Sequence, residues 1–241
     1  MAKDSGADPA NRFALVEAES GRWAPAWTDS RRLTRYSTRA SLIVTIPIFK
    51  SIWRWSIRRK QFTGDPAVLD AMYQKPDPWN LVVREQPRFV ATNALIAQYC
   101  PRVESLLEIG CGEGAQTRHF SGLAKHVTGV DLSPTALARA RAALPAPVFL
   151  EGRLGDLLPS LPRQRYDIAT LCEVLIYGND PAGLIADAQR CADHLLVTNF
   201  EPQSLVLAHL FQGEGWQELP AIEVGQKRWR AYFWTGPVET T

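Results

Sequence analysis

The chain has 241 residues, of which 46% are hydrophobic, and its formal net charge is only +2. This length suffices for one substantial hydrophobic core, and no run of eighteen apolar residues predicts a transmembrane helix. The four cysteines lack CxxC spacing and the four histidines are scattered, so neither a disulfide framework nor a metal site is predicted. The polar, acidic start is unlike a secretory signal, and we expect a cytoplasmic protein.

Positive charge is concentrated at the start of the chain. Residues 1–64 contain twelve Lys and Arg against five acids, and we predict them to be a basic, partly amphipathic helical extension of a domain over residues 65–241. Residues 31–60 contain nine basic residues and no acid, with Trp53 and Trp55 among the arginines. Three roles stay open: a lid or dimer contact, peripheral binding to the anionic inner face of a membrane, and, least favoured, nucleic-acid binding.

Two helical stretches precede the first predicted strand. They are DPAVLDAMY and the segment beyond Pro87, and the proline-rich KPDPWN between them predicts a loop.

From Val103 onward, short apolar runs alternate with stretches of helical periodicity, which predicts a parallel α/β sheet covered on both faces. Ligands of such a sheet bind at the carboxyl ends of its strands. Two further runs near the end, separated only by GQK, predict an antiparallel pair at one end of the sheet. The seven predicted strands are SLLEI, HVTGVD, PVFLE, YDIATL, HLLVTN, WQELPAIEV and RWRAYFW.

The run LLEIGCGEGAQT places Gly110, Gly112 and Gly114 directly after the first strand. Glycines permit a sharp turn there and a close approach of the backbone to a ligand. A helix that begins near Gly114 would point free backbone N–H groups at that ligand. Asp131 ends the second strand, twenty-one residues after Gly110, where a carboxylate can accept hydrogen bonds from two ribose hydroxyls. An adenosine-containing cofactor is therefore predicted, although the same glycine spacing also fits a nicotinamide dinucleotide.

Three details favour S-adenosylmethionine. Glu108 is an acid on an apolar strand, and the ammonium of a methionyl group would supply the polar partner that its burial requires. Asp156, beyond the third strand, can accept from an adenine amino group. Glu173 and Tyr177 follow the fourth strand at the same edge of the sheet.

EIGCGEG, GVDLS, LGDL and YDIATLCEVLIYG occur in this order, and through them the chain resembles class I S-adenosylmethionine-dependent methyltransferases. DPWNL followed by REQPRF resembles the NodS-type group, named for the nodulation N-methyltransferase that acts on chitooligosaccharides. The resemblance covers residues 77–234. It implies a Rossmann-like sheet of seven strands in the order 3-2-1-4-5-7-6, with the last strand antiparallel and helices on both faces.

The resemblance also implies cofactor-binding residues from the segment before the first strand to the segment after the third. Trp79 would cover the cofactor, and Arg88 would pair with its carboxylate. The implied residues are Trp79, Arg88, Glu108, Gly110, Cys111, Gly112, Gly114, Asp131, Leu132, Asp156 and Leu157.

These residues follow the cofactor from its amino-acid end to its base. Glu108 and the glycine loop would line the methionine side, with Cys111 packed beside the ligand. Asp131 and Leu132 would hold the ribose, and Asp156 with Leu157 would meet adenine.

Methyl transfer from a sulfonium is an in-line displacement that needs no covalent nucleophile, so catalysis consists mainly of positioning. An amine acceptor must be neutral to attack, and Glu173 is predicted to orient it and receive its proton. Tyr177 would serve as a hydrogen-bond donor or an aromatic wall. At Arg84 and Ile176 the chain departs from tyrosines usual in the group, both on the acceptor side.

The sequence thus predicts a methyltransferase that acts on a small molecule or saccharide, with N-methylation of an amino sugar or related amine favoured and a membrane-linked acceptor as a hypothesis. The alternatives are O-methylation of a sugar or lipid-linked acceptor, an NAD(P)-dependent oxidoreductase, and a non-catalytic scaffold that kept the fold.

Overall fold

The computed structural model describes residues 65–201 and 203–237. The predicted basic extension, including residues 31–60, lies outside the described residues. Within the described residues, three helices precede the sheet: α1 (Pro66–Met72), α2 (Leu81–Arg84) and α3 (Gln86–Tyr99). Among the described helices, none is both long and apolar enough to cross a lipid bilayer.

One seven-stranded sheet organises the rest of the described chain. Its strands lie in the order β3-β2-β1-β4-β5-β7-β6, which confirms the predicted topology. β7 pairs antiparallel with both β5 and β6, and the other pairs are parallel. The strands are β1 (Ser105–Ile109), β2 (His126–Asp131), β3 (Val148–Glu151), β4 (Tyr166–Cys172), β5 (Ala192–Phe200), β6 (Trp216–Val224) and β7 (Lys227–Thr235).

Helices connect these strands and cover both faces of the sheet. Short 3-10 turns over Leu158–Ser160, Leu175–Tyr177 and Ala208–Phe211 extend three of the connections. The connecting helices are α4 (Thr117–Phe120), α5 (Pro134–Ala143), α6 (Leu154–Leu157), α7 (Pro181–Cys191) and α8 (Gln203–Leu207).

Buried side chains lie on both faces of the central strands, because successive strand residues point to opposite sides. Leu107 and Leu195 pack on one face against residues of α6, α7 and α8. Leu106 and Leu196 pack on the other face with α3 and α4. This double burial explains why the strands are continuous apolar runs without polar alternation.

The helix expected to begin near Gly114 begins only at α4, with Thr117. Gly114 has φ +80°, a left-handed conformation that a right-handed helix cannot include. The glycine loop is therefore longer than the motif suggested.

Candidate functional site

A cavity of about 630 Å³ opens at the carboxyl edge of the parallel strands. Its walls come from the segments after β1, β2, β3 and β4, from the helices before β1, and from the start of β7. The volume lies within the range of roughly 300–1,000 Å³ that is typical of cofactor and small-molecule sites.

The glycine loop lets neighbouring elements close tightly around this cavity. Gly110 has φ +74°, and a Cβ there would lie 2.6 Å from Cγ2 of Val174. Gly112 has φ +52°, and its Cβ would lie 2.5 Å from the hydroxyl oxygen of Tyr73. Both the backbone conformation and the available space therefore require glycine at these two positions.

Asp131 ends β2 and is 7% exposed at the cavity wall. Its carboxylate accepts hydrogen bonds from the backbone N–H of Gly112, at 2.8 Å, and of Ser133, at 2.9 Å. Burial raises the pKa of Asp131 above its usual value, against these two hydrogen bonds. The carboxylate thus fixes two loops and presents acceptor atoms to the cavity.

Glu108 lies on β1 and is 4% exposed. It accepts a short hydrogen bond from the hydroxyl of Thr117, and burial raises its pKa to about 8. A buried carboxyl group on the wall of a cavity favours a cationic ligand group beside it, because a positive charge offsets the cost of burying the negative one. This is the environment predicted for the methionyl ammonium.

Arg88 is buried on the cavity wall and belongs to a network of charged side chains. Its Nε donates to Oε2 of Glu85 at 2.9 Å, and one terminal nitrogen approaches Oε1 of Gln116 at 3.4 Å. Lys227 on β7 donates to the other carboxylate oxygen of Glu85 at 2.8 Å. Burial raises the pKa of Glu85, but the hydrogen bonds from Lys227 and Arg88 outweigh it and leave the pKa below its ordinary value.

Three aromatic side chains form a wall on the side of α1 and α2. The rings of Tyr73 and Trp79 are 5.1 Å apart edge to face, and those of Trp79 and Tyr177 are 6.5 Å apart. All three line the cavity. Trp79 therefore lines the cavity with Tyr177 beside it, and its contact with the cofactor stays a prediction.

The loop that carries Trp79 is held by contacts that the sequence did not reveal. Glu113 accepts a hydrogen bond from the backbone N–H of Asp77 at 2.7 Å and pairs with Arg139. Arg139 in turn donates to the carbonyl of Tyr73 at 2.6 Å. The position of Glu113 inside the glycine motif could have indicated that it lies near the site. No sequence pattern around Arg139 indicated such a role.

A second tie joins α1 to the start of α5. Asp70 accepts hydrogen bonds from the hydroxyl of Ser133 at 2.6 Å and from the backbone N–H of Thr135 at 3.0 Å. The hydrogen bond from Ser133 is the largest influence on the carboxyl group of Asp70 and lowers its pKa. The helices before β1 are thus anchored to the loop that follows β2, beside Asp131.

Glu173 follows β4 in a strained conformation. Its φ is +64°, and its backbone N–H donates to the carbonyl of Thr198 at 2.9 Å. Oε1 is buried without a hydrogen-bond partner among the described residues, and burial raises the pKa of Glu173 to about 7, against the charge of Arg88. A strained, buried acid with an unsatisfied oxygen and a pKa near neutrality is typical of a functional carboxyl group.

The structure brings most of the predicted site residues together. Gly112 and Gly114 lie behind the cavity wall, where they make room for Tyr73 and Leu144. Asp156 is exposed on α6, and neither it nor Leu157 lines the cavity, so their adenine contact stays a prediction. The predicted residues that line the cavity are Trp79, Arg88, Glu108, Gly110, Cys111, Asp131, Leu132, Glu173 and Tyr177.

An adenosine-containing cofactor fits these residues. Asp131 offers a carboxylate at the end of β2, and Glu108 offers a buried acid on β1. Among the described residues, no group of His, Cys, Asp and Glu side chains has the arrangement of a metal site.

Comparisons with known proteins agree with this geometry. Residues 107–194 match a family model described as a methyltransferase domain. Nodulation protein S of Sinorhizobium fredii (strain NBRC 101917 / NGR234) is 29% identical over 155 residues, which are 64% of this chain and 64% of that protein. The dTDP-3-amino-3,6-dideoxy-alpha-D-glucopyranose N,N-dimethyltransferase of Streptomyces fradiae is 32% identical over 43% of this chain and 40% of its own length. The chain thus spans less than two thirds of these curated relatives.

Solved structures show the same fold. The N-methyltransferase NodS from Bradyrhizobium japonicum WM9, in complex with S-adenosyl-L-homocysteine, has a TM-score of 0.58 at 21% identity, covering 70% of this chain and 97% of that one. The magnesium protoporphyrin IX methyltransferase from Synechocystis PCC 6803, with bound S-adenosylmethionine, has a TM-score of 0.57 at 15% identity, covering 71% and 97%. The matched domain, the similarity to nodulation protein S and the sheet order confirm the resemblance of this chain to class I S-adenosylmethionine-dependent methyltransferases and to their NodS-like group.

Proposed function

We propose that this chain uses S-adenosylmethionine to methylate the nitrogen of an amino sugar or a related amine. The observation that carries the proposal is Glu173, a buried carboxyl group with an unpartnered oxygen on the wall of the same cavity as Asp131 and Glu108. S-adenosylmethionine, when bound, supplies a methyl group activated by a sulfonium. Asp131 would hold the ribose, and Glu108 would hold the ammonium directly or through water.

The charge of the cavity favours a cationic acceptor. Among the described residues, eight carboxyl groups but only three basic side chains line it, and the acids outnumber the bases even when Glu108 and Glu173 are protonated. Two of those basic side chains, Arg88 and Lys227, already donate to Glu85. Such a cavity attracts an ammonium and repels a polyanion, because opposite charges attract across a weakly screened interior. Relatives named trans-aconitate 2-methyltransferase, 29% identical over 54% of this chain in Escherichia fergusonii, make a polyanionic acceptor the alternative to test.

Glu173 and Tyr177 would act on the acceptor. An amine attacks only through a free lone pair, so Oε1 of Glu173 would take the proton and keep the nitrogen aligned. Trp79, Phe200 and Trp229 also line the cavity and offer apolar surfaces to a sugar ring. Proton removal by a carboxylate and ring positioning by aromatic side chains are what N-methylation of an amino sugar requires.

A matched pair of acceptors tests the proposal. We expect methyl transfer to a chitooligosaccharide that carries one free amine and none to its fully N-acetylated counterpart, measured by mass spectrometry of the product. Trans-aconitate serves as a polyanionic control and should stay unmodified. Equal transfer to the N-acetylated sugar would contradict the proposal in favour of O-methylation, and transfer to trans-aconitate alone would contradict the charge argument.

We also propose that residues 31–60 bring the enzyme to an anionic membrane surface, which would give it access to a lipid-linked acceptor. Support comes from the nine basic residues and from Trp53 and Trp55 in this segment. In liposome flotation, we expect the whole chain to float with anionic vesicles but not with neutral ones, and Trp53→Ser with Trp55→Ser to reduce flotation several-fold. Equal behaviour on both vesicle types would contradict membrane binding.

A further inference from the structure

The cavity extends beyond the residues predicted to hold the ribose, to where the adenine of the cofactor would lie. None of the residues predicted to contact adenine lines this part of the cavity. Beyond Asp131 and Leu132, the cavity wall consists of residues 152–155, which follow β3. The side chain expected to meet adenine, that of Asp156, is exposed and does not line this wall. A carboxylate on another element is therefore a second candidate to accept a hydrogen bond from the amino group of adenine.

α7 supplies a carboxylate at this end of the cavity. Asp187 lies on α7 and lines the cavity together with Gly155. A Cβ on Gly155 would lie only 2.7 Å from Oδ2 of Asp187, so glycine leaves room for the carboxylate to rest against the α6 backbone. The side chain of Asp180 caps α7 by accepting from the backbone N–H of Gly183 at 2.8 Å, which fixes the helix that carries Asp187.

The carboxylate of Asp187 has spare acceptor capacity. Its Oδ1 receives one long contact, at 3.4 Å, from Arg190, whose side chain is 69% exposed. Among the described residues, no donor reaches Oδ2. A surface contact of this length contributes little, so the carboxylate can accept a further hydrogen bond without losing a strong one.

We propose that Asp187 accepts a hydrogen bond from the 6-amino group of adenine and so selects an adenine nucleoside. The inference rests on the proposed function, because it assumes that Asp131 holds the ribose of the same cofactor. Leu132, Leu154 and Leu184 line the neighbouring wall and suit the apolar faces of a purine. A carboxylate accepts from the amino group of adenine but repels the 6-oxo group of guanine, which explains selectivity as well as affinity.

The test compares S-adenosylhomocysteine with its analogue that lacks the 6-amino group, in calorimetric titrations of the whole chain. We expect the unchanged protein to prefer S-adenosylhomocysteine by about 10-fold, the usual effect of a hydrogen bond to a charged group. Asp187→Ala should lower the affinity for S-adenosylhomocysteine about 10-fold and leave that for the analogue unchanged. Asp156→Ala, the matched control, should keep the full preference.

A second variant keeps the inference testable if Asp187→Ala folds poorly. Gly155→Ala, at a position without a left-handed φ, places a methyl group 2.7 Å from Oδ2 of Asp187, which must then move, and should abolish the preference in the same way. The inference is overturned if Asp187→Ala weakens both ligands equally, which indicates a structural role, or if only Asp156→Ala removes the preference. If the unchanged protein binds neither ligand, the proposed function itself fails.

Discussion

Replacing Asp131 with alanine is expected to lower the affinity for S-adenosylhomocysteine at least about 100-fold. Asp131 is 7% exposed, and its two carboxylate oxygens hold the N–H groups of Gly112 and Ser133 while facing the cavity. Each charge-assisted hydrogen bond to a ribose hydroxyl contributes roughly 1.5–3 kcal/mol, so losing two accounts for this factor. Isothermal titration calorimetry measures the change directly.

Asp167→Ala is the matched control for this variant. Its carboxylate also accepts two backbone hydrogen bonds, from Glu104 and Ser105 at 2.7 Å each, but it does so at the start of β4, at the opposite edge of the sheet. We expect Asp167→Ala to lower the melting temperature without changing the affinity for S-adenosylhomocysteine. An Asp131→Ala variant that is folded and binds normally would show that the ribose is held elsewhere.

The second large effect is expected at Glu173. Glu173→Gln keeps the size of the side chain but cannot take a proton, so we expect methyl transfer to an amine to fall about 100-fold or more. In the unchanged enzyme, kcat/KM should rise with pH through the pKa of Glu173, near 7, and this ionisation should be missing in the variant. Glu201→Gln is the control: Glu201 forms an ion pair with Arg228 and does not line the cavity, so this variant should keep both the rate and the pH profile.

The stability of the folded protein should fall as the pH rises, whereas kcat/KM should increase. The folded protein binds the Glu173 proton more tightly than the unfolded chain, because burial raises the pKa from 4.5 to about 7. Stability is therefore lost as the pH rises between these values, by on the order of 3 kcal/mol. Glu173→Gln should unfold at a higher temperature than the unchanged protein at pH 8, with the difference shrinking towards pH 4.5. A Glu173→Gln variant that is less stable at pH 8 and equally active would contradict the assigned role.

Local sequence patterns predicted most of the fold because the buried strands carry the strongest signal. All five residues of β1 are buried, and so are most of β4 and β5, so each appears as a continuous apolar run. The GQK link likewise marked the antiparallel pair of β6 and β7. The start of α4 was less predictable, because the left-handed conformation of Gly114 delays the helix.

Site residues were predictable where they follow a strand at the cavity edge. Asp131 and Glu173 stand at strand ends, and the topology of a parallel sheet brings such positions together. Arg139 and Asp187 lie inside helices, where a charged residue is ordinarily a solvated one. Asp187 reaches the cavity, and Arg139 reaches the loop that carries Trp79, only because of how α7 and α5 pack. Helix packing is a tertiary property that no short motif encodes.

The central claim is that the loop LLEIGCGEGAQT and Asp131 bind the methyl donor. The measurement that tests it most directly is calorimetric titration of the whole protein with S-adenosylhomocysteine and, separately, with NAD and NADP. Micromolar binding of S-adenosylhomocysteine, without binding of either nicotinamide cofactor, is the predicted result. Binding of NAD or NADP in its place would contradict the account and assign the same cavity to hydride transfer.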